Sequence, residues 1–333
     1  MVPLLKVQNL TVNLKLNKVS YPVVNHLSFE LKKGETLALV GESGCGKSMT
    51  ALALLQILPN PPALPPIGEI YYRGDDLLKL SEKEMRKIRG KRIAMIFQNP
   101  LTALNPVYTI GSQLIEVVET HLNLSEEGAT ELAIKALEDV HLPDGKKIMT
   151  LYPHQLSGGM LQRVMIAMAL ICSPDILIAD EPTTALDVTI QSQILHLLQE
   201  LQERMGMAIL LISHDIGVVA SCASEVIVMY GGNQIEQGTC KELLQQPAHP
   251  YTQALLAARP DLHQRKARLA AIPGHVPRLN QRIEGCPFNP RCKHVMELCK
   301  QEVPPSFSLK DETHSTRCWL YDTKLTRTYG ETS

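Results

Sequence analysis

The feature that most constrains this sequence is a glycine-rich segment directly after a short apolar run. The run is Thr36-Leu-Ala-Leu-Val40, and the segment is Gly41-Glu-Ser-Gly-Cys-Gly-Lys47-Ser48. An almost wholly apolar run that stops at glycine predicts a strand buried on both faces, as in a parallel sheet. The segment fits G-x-x-x-x-G-K-S/T, a loop whose backbone N–H groups turn around phosphate oxygens. We therefore expect a helix over residues 48–58, with its positive end pointing at the anion.

Two residues of this loop carry specific chemistry. A lysine at the place of Lys47 reaches the β- and γ-phosphates, and a hydroxyl at the place of Ser48 is a ligand of Mg²⁺. The alternative is a glycine-rich turn with an exposed lysine. The buried strand before the loop and the helix after it favour the phosphate loop.

A second apolar strand ends in two carboxylates, in the run Ile176-Leu-Ile-Ala-Asp180-Glu181. The carboxyl edge of such a sheet is where ligands bind. Asp180 can hold the hydration shell of Mg²⁺, and Glu181 can orient or polarise an attacking water. A third apolar run, residues 208–213, leads to His214, which can reach a γ-phosphate. A histidine at a strand end is otherwise most often a structural hydrogen bonder.

The remaining periodicities indicate the fold class. Alternation of apolar and polar residues over residues 4–16 and 25–32 predicts strands. Apolar residues that recur at intervals of three and four over residues 110–141 predict a helical insert. After Ser157 helices alternate with short apolar strands, and residues 190–205 form one of these helices. This alternation predicts an α/β doubly wound sheet.

Composition excludes several classes of protein. A net charge of −1 argues against a generally basic nucleic-acid binder, so we expect no nucleic-acid partner. No apolar stretch approaches the roughly 18 residues of a spanning helix, and the N-terminus lacks the pattern of a secretory signal. We therefore expect a cytosolic chain, in which cysteines are ligands or free thiols more often than disulfides.

Four of the eight cysteines lie close together in the chain, at Cys286, Cys292, Cys299 and Cys318. Their spacing lacks the C-x₂₋₄-C pairs typical of structural zinc, and four thiolates can hold a 4Fe–4S cluster. Zinc and free thiols remain alternatives. The surrounding segment, from residue 247 onward, is rich in proline and poor in apolar residues. Because it can form only a small core, it needs a cross-link to be stable, which favours a metal centre.

Further motifs complete a resemblance to one family. Leu156-Ser157-Gly158-Gly159-Met160 lies between the phosphate loop and the carboxylates, and it resembles the signature motif of ABC-type ATPases, the ATP-binding cassettes. Phe97-Gln98-Asn-Pro resembles the Q-loop of that family, and Thr184-Ala185-Leu186-Asp187 resembles its D-loop. His214 stands at the switch-histidine position. The resemblance covers residues 4–320.

Other segments resemble one subfamily, the ATPase subunits of bacterial dipeptide/oligopeptide importers. They are the run from Met95 to Pro106, Met160 in place of the final glutamine of the LSGGQ that most cassettes have, His249-Pro-Tyr-Thr252, and the stretch around Gly285-Cys-Pro-Phe. The resemblance implies a P-loop NTPase core with an antiparallel β subdomain and a helical subdomain over about residues 100–160. It implies a nucleotide-binding domain over residues 1–246 and a cysteine-containing extension over residues 247–333. In some members this extension holds a 4Fe–4S cluster.

The resemblance also implies roles for individual residues. Two cassettes face head to tail, and each ATP lies between one phosphate loop and the partner's signature. Catalysis would depend on Glu181, His214 and Gln98, and Mg²⁺ would be held by Ser48, Gln98 and Asp180. The nucleotide would contact Tyr21, Gly41, Ser43, Gly44, Cys45, Gly46, Lys47, Ser48, Met49, Asp180, Ser157, Gly158 and Gly159.

Two of these residues have a second interpretation. Tyr21 is placed as the aromatic ring that stacks on adenine, and the alternative is an ordinary strand-edge tyrosine. Cys45 lies near a helix N-terminus, a setting that favours the thiolate, and the alternative is an inert small residue. The thiolate hypothesis predicts that a thiol reagent blocks ATP hydrolysis and that ATP protects.

The implied function is ATP hydrolysis that energises peptide import at the cytoplasmic face of the inner membrane. The implied partners are a membrane permease, a homologous second ATPase in a heterodimer, and an external solute-binding protein. Alternatives are an importer of nickel or another small solute, a soluble ABC ATPase, and a redox or iron sensor built on a cassette.

Overall fold

The computed structural model describes residues 2–184, 186–258, 272–281, 283–309 and 313–323. These residues fall into two compact units. The first unit contains the first few residues, Leu31–Thr36 and Lys79–Ile212. The second contains Leu5–Glu30, Leu37–Leu78 and the chain from Ser213 onward.

The first unit contains a parallel sheet and a group of helices. The sheet has the order β8, β7, β6, and its strands are fully or nearly fully buried, as their apolar composition predicts. Its strands are β6 (Ile93–Ile96), β7 (Ile176–Asp180) and β8 (Ala208–Ser213). Its helices are α2 (Glu82–Ile88), α3 (Pro100–Ala103), α4 (Ile110–His121), α5 (Glu126–Asp139), α6 (Gly145–Met149), α7 (Gly158–Leu170) and α8 (Val188–Met205).

The predicted helical insert is more than one helix. The single periodic stretch over residues 110–141 is divided into α4 and α5, and Ser125 caps the start of α5 by accepting a hydrogen bond from the Gly128 N–H. Apolar side chains such as Leu114, Val118 and Leu137 are fully buried. The cap, which periodicity alone does not reveal, fixes the break between the two helices.

The second unit has a mostly antiparallel sheet. Its order is β5, β4, β1, β2, β10, β9, β3, with β12 also paired to β10 and β11 to β12. Its strands are β1 (Leu5–Leu16), β2 (Val19–Leu31), β3 (Thr36–Val40), β4 (Ile67–Tyr72), β5 (Asp75–Asp76), β9 (Glu225–Tyr230), β10 (Asn233–Thr239), β11 (Phe307–Ser308) and β12 (Ser315–Thr316). β3 pairs with β9 in parallel and ends at Val40, directly before the glycine-rich loop.

The helices of the second unit include several that the sequence did not predict. They are α1 (Lys47–Leu54), α9 (Ile216–Cys222), α10 (Cys240–Gln245), α11 (Pro250–Ala257) and α12 (Glu297–Gln301). The helix predicted over residues 48–58 ends at Leu54, earlier than expected. α11 begins with Pro250 at its first turn, where a missing N–H costs nothing. The dense prolines after residue 247 favoured a segment without regular structure, although one of them, Pro250, begins a helix.

The segment after residue 247 is integrated into the second unit. Glu236 of β10 is fully buried, and its carboxylate accepts hydrogen bonds from the backbone N–H groups of Ala248 and His249, at 2.7 and 2.8 Å. His314, just before β12, contacts the same carboxylate at 2.8 Å. The boundary at residue 246 stays a prediction, because the two compact units do not divide the chain there. Within the described ranges, no helix is both long and apolar enough to cross a membrane.

Candidate functional site

The phosphate loop follows β3 as predicted. A side chain at Gly41 would overlap the carbonyl oxygen of Met229, and one at Gly46 would overlap that of Val23, so both positions require glycine. Gly46 also has a positive φ of 101° and immediately precedes α1. The buried Lys47 ammonium donates to the carbonyl oxygen of Gly41 at 2.7 Å, so it lies inside the loop. A loop with these features fits a polyphosphate chain.

The second residue of the loop, Glu42, is held at two points. Its backbone N–H donates to the Tyr251 hydroxyl of α11 at 2.9 Å. Its carboxylate accepts two hydrogen bonds from the Arg291 guanidinium, at 2.6 and 3.1 Å. The Arg291 side chain is almost fully buried, and its pKa is raised, chiefly by the hydrogen bond to Glu42. This bidentate ion pair joins residues that are far apart in the chain.

The predicted thiolate at Cys45 is wrong. The side chain is buried, and burial raises the pKa of the thiol, an effect larger than the lowering by the nearby Lys47 ammonium. A helix N-terminus favours a thiolate, but at this buried position the cost of desolvating the charge is larger. The structure instead favours the alternative, an inert small residue.

The two predicted carboxylates lie in the first unit, at the end of β7. Asp180 is buried as the last residue of that strand. Glu181 follows with a positive φ of 48°, and its backbone N–H donates to the carbonyl oxygen of Ile212. The Gln98 amide donates to the Glu181 carboxylate at 2.8 Å, and the Thr184 hydroxyl donates to it at 2.9 Å. The predicted Q-loop glutamine and the predicted catalytic carboxylate are therefore brought together.

The signature motif forms the start of α7. Ser157 caps the helix, accepting from the Met160 N–H at 3.4 Å, and Ser157 and Gly158 are exposed. An added Cβ on Gly159 would lie 3.1 Å from the Ile190 side chain, so the signature is closely packed against α8. An exposed helix N-terminus of this kind favours an anion. Ala185 of the predicted D-loop lies outside the described residues.

His214 and Tyr21 both lie in the second unit, where their predicted roles stay predictions. His214 is exposed and directly follows β8. Tyr21 is half-buried in β2, two residues before Val23, whose carbonyl oxygen approaches Gly46. Two residues of a strand span about 7 Å, so Tyr21 lies near the phosphate loop. Ser43, Gly44, Ser48 and Met49 are at least partly accessible.

The predicted metal site at the four cysteines is not confirmed. Among the described side chains, no group of three or more His, Cys, Asp and Glu is arranged to hold a metal ion. The four thiols are nevertheless neighbours. Burial, with a smaller contribution from the nearby Cys286, Cys292 and Cys299, raises the pKa of Cys318 to about 12. Burial likewise raises the pKa of Cys286 to about 11.

Sequence reasoning missed the residues that support the site from a distance. Thr184 belongs to the predicted D-loop, but its contact with Glu181 depends on how the chain turns after β7. Tyr251 lies in one of the subfamily motifs, and Arg291 follows another by three residues. No local spacing links them to Glu42, because the contacts are made by the folded chain.

Comparison with known proteins shows which family this chain resembles. The sequence model of the ABC transporter family matches residues 24–184, and that of the oligopeptide/dipeptide transporter C-terminal region matches residues 235–299. The chain is 48% identical to the dipeptide transport ATP-binding protein DppD of Bacillus subtilis, over 97% of this chain and 96% of that protein. It is 49% identical to a probable peptide ABC transporter ATP-binding protein, y4tR, of Sinorhizobium fredii, over 88% of each.

Solved structures agree on the cassette part. The dimeric post-hydrolysis state of the ATP-binding cassette MJ0796, bound to ADP and Pi, is similar with a TM-score of 0.63 and 28% identity. The match covers 71% of this chain and 98% of that one. A likeness of this extent supports the cassette fold and leaves a substantial part of this chain unmatched.

Proposed function

This chain belongs to the ATP-binding proteins of ABC transporters, in the group with the oligopeptide/dipeptide transporter C-terminal region, and we propose that it hydrolyses ATP to energise peptide import. The observation that carries the hydrolytic part is Glu181, held at the end of β7 by Gln98 and Thr184. A carboxylate fixed in this way can orient and polarise an attacking water. Asp180 and the Ser48 hydroxyl each offer the oxygen type of ligand that Mg²⁺ prefers, and Mg²⁺ supplies charge neutralisation on the phosphates when bound.

The peptide cargo rests on the relatives named as dipeptide and peptide transporters, which are similar along nearly the whole chain. The test is uptake of a labelled dipeptide by vesicles whose membrane holds the transporter's permease. This chain and ATP are supplied on the side of the membrane that corresponds to the cytoplasmic face of the permease. Uptake that needs ATP and is lost in Glu181→Gln supports the proposal. Uptake of nickel or another small solute, but of no peptide, would instead support that alternative.

A second ATP-binding chain is the partner that the signature motif requires. Ser157 and Gly158 are exposed at the start of α7, where they can donate to a γ-phosphate held by another cassette. We infer that this chain pairs head to tail with a homologous ATPase. Light scattering of Glu181→Gln with MgATP tests this: dimers of this chain alone indicate a homodimer, and dimers only after the homologue is added indicate a heterodimer.

The permease would dock near Gln98. Large apolar side chains are exposed on α3, at Leu101, and in the chain before and after it, at Phe97, Val107 and Tyr108. A cluster of exposed apolar side chains marks a protein interface. We place this surface against a cytoplasmic helix of the permease, and a solute-binding protein would deliver peptide from the opposite side of the membrane. Leu101→Glu should lower ATP-driven uptake and leave the ATPase activity of the isolated chain intact.

The four cysteines would hold a 4Fe–4S cluster. The backbone N–H of His294 donates to the Cys292 sulfur at 3.4 Å. Such bonds stabilise thiolates and tune clusters. Against this, no three or more His, Cys, Asp and Glu side chains of the described residues are arranged to hold a metal ion. Anaerobic purification with iron, sulfide and zinc analysis decides: about four irons, lost on Cys→Ser changes, support the cluster, one zinc supports the zinc alternative, and neither metal leaves free thiols.

A further inference from the structure

A buried ion pair connects the C-terminal extension to the phosphate loop. Arg291 Nη1 lies 2.6 Å from one carboxylate oxygen of Glu42, and Nη2 lies 3.1 Å from the other. The Arg291 side chain is 4% exposed, whereas the Glu42 side chain is 28% exposed. The arginine side of the pair is therefore the fixed side, and the loop residue is held against it.

Arg291 is itself fixed by contacts that use the rest of its donors. Its Nε donates to the carbonyl oxygen of Pro273 at 2.8 Å, and Nη1 donates to the Tyr230 hydroxyl at 3.3 Å. The guanidinium also lies over the Tyr230 ring, 5.7 Å from its centroid. Phe288 packs edge-on against Tyr230 and Tyr251. A planar fork with five donors makes these contacts at once, which an ammonium cannot.

The pair also solves an electrostatic problem. Glu42 lies between Gly41 and the residues whose N–H groups face phosphates, so a bare carboxylate there would repel a polyphosphate. Arg291 neutralises that charge, and Tyr251 fixes the Glu42 backbone from the α11 side. The loop therefore gains a fixed shape without gaining a net negative charge.

We propose that Arg291 is a positioning residue for ATP, which holds Glu42 so that the phosphate loop keeps its shape and its carboxylate does not oppose the nucleotide. This proposal rests on the proposed ATP hydrolysis. It predicts a loss in nucleotide affinity when Arg291 is replaced, and a recovery when the carboxylate is then removed. A residue that only stabilised the fold would show the loss without the recovery.

The experiment measures the Kd of MgATP by calorimetry, and KM and kcat for hydrolysis, on the full chain. Arg291→Met should raise Kd and KM about tenfold, and kcat should change less. Arg291→Met with Glu42→Gln should recover at least half of that loss on a logarithmic scale. The matched control is Lys300→Met, which removes an exposed ion pair of the same extension with Glu297 and should bind as the wild type does.

Three outcomes are distinguishable. A wild-type chain that binds no MgATP overturns the proposed function itself. A folded Arg291→Met that binds like the wild type, or a double variant no better than the single one, overturns only the positioning role. If Arg291→Met does not fold, Arg291→Lys replaces it: it keeps the charge but not the fork, and wild-type affinity in that variant would equally overturn the proposal.

Discussion

Gln98 and Glu181 lie in direct hydrogen-bond contact, with 2.8 Å between the amide nitrogen and the carboxylate oxygen. The contact joins the loop after β6 to the residue after β7, two neighbouring strands of one parallel sheet. The Thr184 hydroxyl donates to the same carboxylate, so Glu181 is held from two loops, one of which carries Gln98. The site therefore couples the predicted permease surface to the predicted catalytic carboxylate.

Changing Gln98 to alanine should slow hydrolysis without abolishing it. Glu181 keeps its bond from Thr184, so it stays near its place and loses only one of two donors. We expect kcat to fall about tenfold, with the Kd of MgATP within about threefold of the wild type. Steady-state phosphate release and calorimetry measure these two quantities. Wild-type kcat would show that the contact does not position Glu181.

Changing Glu181 to glutamine should remove hydrolysis and leave binding. The amide cannot accept a proton from the attacking water, and we expect a loss of about 10²- to 10⁴-fold in kcat. Single-turnover hydrolysis measures it, and retained MgATP binding separates chemistry from folding. Glu203→Gln, an exposed carboxylate on α8, is the control and should hydrolyse at the wild-type rate. Equal loss in both variants would contradict the assignment.

Cys45 should react slowly with thiol reagents. Burial holds the pKa of its thiol above the ordinary value, so little thiolate is present at neutral pH and the sulfur is covered. We expect labelling by a maleimide at least about tenfold slower than that of glutathione, followed by mass spectrometry of the peptide that contains Cys45. Cys45→Ser should keep ATPase activity. Rapid labelling that ATP blocks would restore the thiolate hypothesis.

The sequence predicts the parts of this molecule whose signals are local. β3, the phosphate loop and β7 follow from consecutive apolar residues and a fixed glycine spacing, and each lies where it was expected. The Arg291–Glu42 pair depends on a contact between residues 249 positions apart in the chain, which no local pattern encodes. Cys45 failed for a related reason, because its pKa is decided by burial under neighbouring elements and not by the helix that follows it.

Glu236 should be among the least replaceable residues of the second unit. Its carboxylate accepts from Ala248, His249 and His314, so glutamine leaves at least one buried donor facing another donor. We expect Glu236→Gln to lower the free energy of unfolding by about 3 kcal/mol in urea titrations. The exposed Glu302→Gln should change it by less than about 0.5 kcal/mol. Equal stability of the two variants would contradict the role of Glu236.

His249 should make stability depend on acid. Its ring caps α11, accepting from the Tyr251 N–H, and burial lowers its pKa from 6.5 to about 4, although the Glu236 charge opposes this. Between these values the unfolded chain binds a proton that the folded chain does not, so stability falls as the pH falls from 6.5 to 4. The full contribution, present above pH 6.5, is about 3 kcal/mol and is lost by about pH 4.

His249→Asn isolates this contribution from all other titrations. Asparagine can also cap a helix, but it does not titrate, so the variant should lose less stability than the wild type between pH 6.5 and pH 4. Urea unfolding at several pH values measures the difference between the two curves. His154→Asn changes an exposed histidine and should keep the wild-type slope. Parallel curves for wild type and His249→Asn would mean that His249 titrates in the folded chain as it does in the unfolded one, and the buried neutral imidazole would then be wrong.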